Sequence, residues 1–198
     1  EEHLHVSTGE DARVLRFTLS PLSFFQTNTF ATERLYGAIR EWVEERLPAT
    51  LYDLYGGSGG IAFTCADLVD RVVSVESFAA ASADGVHNAT LNGIENVEFI
   101  AQEVEAYLRD RLTAGGFAPD SAAIVDPPRA GLHPKALRRL VELRPRYLLY
   151  VSCKPSVLAR ELPALLEGYR LRDLRAVDLF PHTPHAEVLA SFEANDEG

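Results

Sequence analysis

The stretch Leu51-Tyr52-Asp53-Leu54-Tyr55-Gly56-Gly57-Ser58-Gly59-Gly60 decides the fold of this chain. Its first half is an apolar run of the length of a buried strand, and its glycines end that strand before a helical pattern over Ile61–Leu68. Glycines at a strand-to-helix turn let the backbone approach a nucleotide-like ligand closely. Because no lysine stands at the start of the helix, the loop is not a P-loop.

Strand and helix patterns alternate on both sides of this stretch. The alternation predicts an α/β fold with a mostly parallel, doubly wound, seven-stranded sheet that ends in an antiparallel hairpin. Besides Leu51–Tyr55, the predicted strands are Arg71–Val75, Val97–Ile100, Ala122–Val125, Tyr147–Val151, Leu171–Val177 and Val188–Phe192. Besides Ile61–Leu68, the predicted helices are Phe30–Leu47, Ala79–Leu91, Gln102–Leu112, Pro134–Leu143 and Ser156–Leu166. An extended segment precedes the first helix.

Composition limits the classes of function. The chain has 198 residues, 46% of them hydrophobic, and a net charge of -10, which counts against a stand-alone nucleic-acid binder. Four arginines soften this objection because they cluster before the fifth predicted strand: Arg138, Arg139, Arg144 and Arg146. The two cysteines are too few for a disulfide framework or a CxxC metal site. With no signal peptide or apolar span, the composition predicts a cytoplasmic protein without metal.

Four chemically suited residues stand at the carboxyl ends of predicted parallel strands: Tyr55, Glu76, Asp126 and Cys153. Carboxyl ends of parallel strands line one crevice, so these residues are expected to meet there. Glu76 stands near the roughly 20-residue offset at which an acidic side chain binds ribose hydroxyls. Asp126 is stiffened by two prolines, and Cys153 offers a thiol nucleophile. Glu187 offers a partner base on a Pro-containing segment. A dinucleotide and S-adenosylmethionine both remain possible ligands of the crevice.

Five motifs in order resemble the RNA uracil-5-methyltransferases, which make 5-methyluridine in tRNA and ribosomal RNA. They are Phe24-Phe25-Gln26-Thr27-Asn28, the Asp53 glycine loop, Asp126-Pro127-Pro128-Arg129-Ala130-Gly131-Leu132, Tyr150-Val151-Ser152-Cys153, and Asp178-x-Phe180-Pro181-x-Thr183-x-His185-x-Glu187. The resemblance covers Pro21 to Phe192. It implies a Rossmann-like class I methyltransferase fold, with residues 29–198 as the catalytic domain and 1–28 as the tail of an upstream region.

The resemblance also implies roles for individual residues. Cys153 is the nucleophile that adds to C6 of the uracil, and Glu187 is the proton acceptor. The residues implied to contact S-adenosylmethionine are Gln26, Tyr55, Gly60, Glu76 and Asp126, with Gln102 and Glu103 near the adenine. The implied partner is rRNA or tRNA with its uridine in a loop or opened stem, and the protein is expected to be a monomer.

The chain departs from the family pattern at several positions, none of which carries a reacting group. Gly56 replaces the usual Cys, and Lys154 replaces the Asn that usually follows the nucleophile; its charge can lower the pKa of the thiol. Cys65 stands mid-helix among apolar residues and is expected to be buried and inert.

Three other functions stay open on the residues alone. An exocyclic-amine methyltransferase would use Asp126 and not need Cys153. A non-catalytic RNA-binding module would bind RNA without transferring a methyl group. A dinucleotide oxidoreductase would bind a nicotinamide cofactor in place of S-adenosylmethionine.

Overall fold

A computed structural model describes residues 2–8, 11–20, 28–178 and 186–195. The described chain contains nine strands and six α-helices, with a short 3-10 turn at Ala66–Leu68. In chain order the elements are β1 (Glu2–Thr8), β2 (Asp11–Phe17), α1 (Thr29–Glu44), β3 (Thr50–Leu54), α2 (Gly60–Cys65), β4 (Arg71–Glu76), α3 (Ala79–Asn92), β5 (Val97–Ala101), α4 (Val104–Thr113), β6 (Ser121–Val125), α5 (Pro134–Leu143), β7 (Tyr147–Ser152), α6 (Pro155–Leu165), β8 (Tyr169–Val177) and β9 (Glu187–Ala194).

The main sheet has seven strands in the order β5-β4-β3-β6-β7-β9-β8. β3 to β7 are parallel, and β9 runs antiparallel between β7 and β8. The predicted α/β fold with a late antiparallel hairpin is therefore confirmed. Chain order reverses between β3 and β6, which lie side by side, and ligands of open α/β sheets bind outside the carboxyl ends of the strands at such a point.

Helices cover both faces of the sheet, so the central strands are buried on both sides. All five residues of β6 are buried. Side chains that alternate along β3 enter different clusters: Leu51 packs with α1 to α3, and Tyr52 packs with α4 to α6. α1 presents its apolar stripe to the first of these clusters. None of the described helices is both long enough and apolar enough to span a membrane.

The opening segment, expected to be merely extended, contains an antiparallel hairpin of β1 and β2. Its inward side chains join the core cluster of α1 and α2: Leu4, Val6, Leu15 and Phe17. Arg13 Nη2 anchors the hairpin by donating to the Phe63 carbonyl at 2.6 Å and to Asp67 Oδ1 at 2.8 Å. The period-two alternation of His3-Leu4-His5-Val6 was the available signal for this strand. Assignment of residues 1–28 to an upstream region stays a prediction.

Two mid-helix glycines make a matched test of the packing. A Cβ on Gly37 of α1 meets nothing within 4 Å, whereas one on Gly85 of α3 would lie 2.3 Å from Cε1 of Phe99. Gly37→Ala is expected to stabilise the fold by about 0.5–1 kcal/mol through helix propensity. Gly85→Ala is expected to destabilise it by about 1–3 kcal/mol through overpacking. Urea unfolding measures both, and equal shifts of one sign would contradict the packing of α3 on β5.

Candidate active site

The glycine loop after β3 leaves a buried carboxylate behind it. Asp53 is fully buried, and no donor among the described residues meets hydrogen-bond geometry with either of its oxygens. Burial raises the pKa of Asp53 to about 7, although the nearby Ala62 amide and Ser74 hydroxyl lower it in part and Glu76 adds to the rise. Gly56 leaves this pocket open, because a Cβ there would lie 2.1 Å from Ser74 Oγ and 2.8 Å from Asp53 Oδ2.

Backbone strain marks the start of the same loop. Tyr55 has φ of 70°, a left-handed conformation that is uncommon for a non-glycine residue and recurs at functional sites. Its amide donates to the Val75 carbonyl at 2.9 Å, which holds the loop against β4. Gly60 begins α2 directly beneath the Tyr36 hydroxyl, where a Cβ would come within 2.5 Å of that oxygen. A larger side chain at Gly56 or Gly60 would therefore require the neighbouring side chains to shift.

Glu76 ends β4 and ties the glycine loop to α3. Its Oε2 accepts from the Gly57 amide at 3.1 Å, and its Oε1 accepts from the Phe78 amide at 2.7 Å. A carboxylate has about four lone-pair sites, so acceptor capacity is left for a further donor. Gln102, after β5, donates through its amide nitrogen to Asp110 Oδ2 at 2.8 Å, while its backbone amide donates to the Glu76 carbonyl at 3.0 Å.

The thiol and the proposed base meet across two strands. β7 and β9 pair antiparallel up to Ser152 opposite Val188, so the next positions beyond this pair are Cys153 and Glu187. Directly opposite side chains of an antiparallel pair lie on the same face of the sheet. Cys153 is held in a tight turn, because the Lys154 amide donates to Ser152 Oγ at 3.3 Å. The register thus brings the two positions to the same end of the β7–β9 pair, where the charge of Glu187 raises the pKa of the thiol.

Acidic groups gather around this thiol. Burial raises the pKa of Asp126 to about 8, and Glu187 and Asp53 add to the rise. Burial also raises the pKa of Glu187, whose side chain is 6% exposed and whose Oε2 has no hydrogen-bond partner among the described residues. The pKa of the Cys153 thiol is raised by burial, Glu187 and Asp126.

Arg129 is the cation that opposes this rise in the thiol pKa. The sequence suggested Lys154 for that part; its side chain is exposed, and Arg129 is the cation whose charge lowers the pKa of the thiol. Arg129 belongs to the Asp126-Pro127-Pro128-Arg129 turn, which lines a small cavity together with Cys153. The turn therefore brings both a carboxyl and a guanidinium group to the thiol.

A buried carboxylate on α6 fastens this turn to β7. Glu161 is 5% exposed, and its Oε2 accepts from the Tyr150 hydroxyl at 2.8 Å and from the Leu132 amide at 3.4 Å. Gly131 permits this approach, since a Cβ there would lie 2.1 Å from Glu161 Oε1. Arg160 adds a bond to the Ala130 carbonyl at 3.0 Å. We call this set of contacts the Glu161 clamp.

The structure thus brings five of the predicted site residues to one edge of the sheet: Tyr55, Glu76, Asp126, Cys153 and Glu187. Gly60 begins the adjoining helix. Gln26, like Phe24, Phe25 and the segment 179–185, lies outside the described residues. Cys65 is fully buried, as expected, and burial raises the pKa of its thiol. Sequence reasoning did not assign a role in the site to Tyr36, Arg129 or Glu161.

Comparison with known proteins decides the family. The family model described as tRNA (Uracil-5-)-methyltransferase matches residues 1–193. The chain belongs to this family. An uncharacterized RNA methyltransferase of Caldanaerobacter subterraneus is 39% identical over 97% of this chain, and one of Clostridium tetani is 37% identical over 94% of it. The chain spans 43% and 40% of the lengths of these two relatives.

Solved structures agree with this assignment. The tRNA (uracil-54, C5)-methyltransferase of Pyrococcus abyssi, in complex with S-adenosyl-L-homocysteine, matches 97% of this chain with a TM-score of 0.75 and 31% identity. The chain covers 44% of that protein. The fold is accordingly that of the S-adenosylmethionine-dependent methyltransferases, which confirms the expected fold class and cofactor class.

The Glu161 clamp predicts that removal of the Glu161 carboxylate destabilises the fold. Glu161→Ala is expected to lower the free energy of unfolding by about 2–4 kcal/mol, because two buried donors are left without their acceptor. The exposed Glu167, on the same segment, is the control, and Glu167→Ala should change stability by less than about 0.5 kcal/mol. Tyr150→Phe should cost less in the Glu161→Ala background than in the wild type, since the two residues share one bond. Additive losses in urea unfolding would contradict the clamp.

Proposed function

We propose that this chain is the catalytic domain of an S-adenosylmethionine-dependent methyltransferase that acts on C5 of a uridine in rRNA or tRNA. One observation carries the proposal: β7 and β9 set Cys153 opposite Glu187 at the strand edge where Asp126 also follows β6. A thiol nucleophile and a nearby carboxyl group that can act as a general base are the groups that C5 methylation of a pyrimidine uses. Membership of the uracil-5 family supports the same reaction.

The chemistry follows from the weak nucleophilicity of uracil C5. The Cys153 thiolate adds to C6, and the electron pair of the C5–C6 bond moves toward C5 and O4 as an enolate. C5 is then a carbon nucleophile. After C5 is methylated, its proton must leave before the Cys153–C6 bond can break. Glu187 is the proposed acceptor of that proton, and its raised pKa brings it closer to neutral pH, where a general base is most effective.

The crevice residues fit the methyl donor. S-adenosylmethionine supplies an electrophilic methyl group on a positively charged sulfonium when it is bound. Gly56 leaves room beside the buried carboxyl group of Asp53, and Glu76 and Asp126 stand at the same edge of the sheet, so the described residues offer space and acidic groups to a cationic ligand. We assign its binding to Tyr55, Gly60, Glu76 and Asp126, with Glu76 on the ribose hydroxyls, and to Gln26, which lies outside the described residues.

The target uridine must leave its base stack to reach this edge. Cys153 is partly exposed and lines a small cavity together with Pro127, Pro128 and Arg129. Addition to C6 requires access to the face of the base, which a stacked and paired nucleotide does not offer. The substrate is therefore a uridine in a loop or an opened stem.

Removal of the Glu76 carboxylate tests the cofactor site. Glu76→Ala is expected to weaken S-adenosylmethionine binding by about 1–3 kcal/mol, the scale of hydrogen bonds to a charged group. Glu95→Ala removes an exposed carboxylate from the loop between α3 and β5 and serves as the control. Titration calorimetry measures both affinities. An unchanged affinity in Glu76→Ala would refute the assignment of Glu76.

The two halves of the mechanism separate in two variants. Cys153→Ala is expected to abolish methylation and to form no covalent complex with RNA. Glu187→Gln is expected to add the thiol and accept the methyl group, and then to stall as a complex that survives denaturing gels and carries label from the methyl donor. RNA with 5-fluorouridine should trap the wild type, because fluorine does not leave as a proton does.

Cys65→Ala is the matched control for the thiol, since Cys65 is fully buried and should not affect adduct formation. Methyl transfer that persists in Cys153→Ala would favour an exocyclic-amine methyltransferase. An adduct that forms without Cys153 would refute this residue as the nucleophile.

A further inference from the structure

Positive charge is concentrated in the elements that surround Cys153. The segment 127–165, from the turn after β6 to the end of α6, carries eight of the 19 lysines and arginines but two of the 29 aspartates and glutamates. Its formal charge is therefore +6, whereas the rest of the chain carries -16. One of its two acids, Glu161, is buried in the clamp. A chain with a net charge of -10 thus presents a basic strip beside its nucleophile.

Several cations of this strip are free of carboxylate partners. Arg129, Arg138 and Lys154 are exposed, and within the part of the chain that the structure describes none of them has an ion pair. Arg160 is also exposed; it donates to the Ala130 carbonyl at 3.0 Å and reaches Glu161 Oε1 at 3.4 Å. Arg139, by contrast, is bound to Glu105 at 2.9 Å. Unpaired surface cations beside an active site attract an anionic partner.

A groove joins these cations to the thiol. It lies between α5 and α6, has a volume of about 740 Å³, and has a floor that includes Leu132, Leu137, Val141 and Ala164. Its lining also includes Arg138 and Arg160, together with the exposed Glu167. Gly131 lines both this groove and the small cavity beside Cys153, so the two spaces adjoin. Both helices begin at the catalytic edge, and the groove therefore leads away from Cys153.

We propose that the α5–α6 groove binds the single-stranded RNA that adjoins the target uridine, a proposal that rests on the proposed function. Arg138 and Arg160 contact phosphates, and the apolar floor receives a nucleoside unstacked next to the target. Groove cations together with apolar or aromatic contact to bases are how proteins hold single strands. Negative phosphates and apolar base faces are complementary to exposed arginines beside an aliphatic lining. The strip also explains how an acidic domain holds RNA locally.

Charge reversal at Arg138 tests the groove against a matched control. Arg170 is an exposed arginine without an ion pair among the described residues. It stands near the start of β8 and pairs with Glu193 near the end of β9, so it lies at the end of these strands away from Cys153. Arg138→Glu and Arg170→Glu change the net charge equally. Binding of a fluorescently labelled short oligouridylate is followed by anisotropy at several salt concentrations, without cofactor.

Arg138→Glu is expected to weaken binding by about fivefold or more and to reduce the slope of log K against log salt by about 0.7 for each phosphate that the variant no longer neutralises. Arg160→Glu should act in the same direction, and the double variant should weaken binding further. Arg170→Glu should change the affinity by less than about twofold and leave the slope as it is, because its charge lies away from the proposed path.

Equal weakening in Arg138→Glu and Arg170→Glu would show an effect of net charge alone and overturn the proposal. So would wild-type protein that fails to bind the oligonucleotide at about 20 mM salt, where electrostatic binding is strong. A change of oligomeric state in Arg138→Glu, seen by sedimentation without any decrease in RNA affinity, would assign the groove to a second copy of the chain instead. Because binding is measured without methyl transfer, failure of the Cys153 variants to behave as proposed would remain a separate result.

Discussion

The parallel hydrogen bonding of β3 to both of its neighbours sets the position of the reactive groups. Thr50–Leu54 pair residue for residue with β4 on one side and β6 on the other. β3 and β6 end on the same rung and β4 ends one residue beyond it, so the glycine loop, Glu76 and Asp126 lie at one edge of the sheet. β7 continues the register to Cys153, and β9 enters from the opposite direction so that its first residue, Glu187, returns to that edge. The geometry of the site is thus a property of the ladder.

Convergence of strand ends has an electrostatic cost. Asp53, Asp126 and Glu187 are brought into a region of low exposure, and the pKa of each carboxyl group is raised there. The charges of Glu187 and Asp126 raise the pKa of the Cys153 thiol, and the charge of Arg129 lowers it. A positively charged ligand in the crevice would lower the pKa values of the surrounding carboxyl groups, because an opposite charge favours their ionised forms. Acid groups packed around an open glycine loop therefore suit a sulfonium better than a neutral or anionic ligand.

Sequence reasoning succeeded where local pattern and topology agree. Period-two and period-3.6 patterns predicted the strands of the main sheet and the helices that cover it. Because the carboxyl ends of parallel strands line one crevice, Tyr55, Glu76, Asp126 and Cys153 were expected at the same edge of the sheet. Contacts made across the fold were out of reach. Glu161 occupies an ordinary position of an amphipathic helix, and only the packing of α6 on the turn after β6 reveals its bonds to Tyr150 and Leu132. Gly131 shows no local reason to be glycine until Glu161 is placed beside it.

The unequal burial of the two cysteines has a practical consequence for chemical labelling. Cys65 is enclosed by the core, whereas Cys153 is partly open to solvent, so a thiol reagent reacts with the folded chain at a single position. The stoichiometry of labelling then counts folded chains with a free Cys153, and protection from the label is a test of whether a ligand covers the proposed site. A fluorophore or spin label can be attached there without any engineered cysteine. In this domain the wild-type sequence is its own single-site probe.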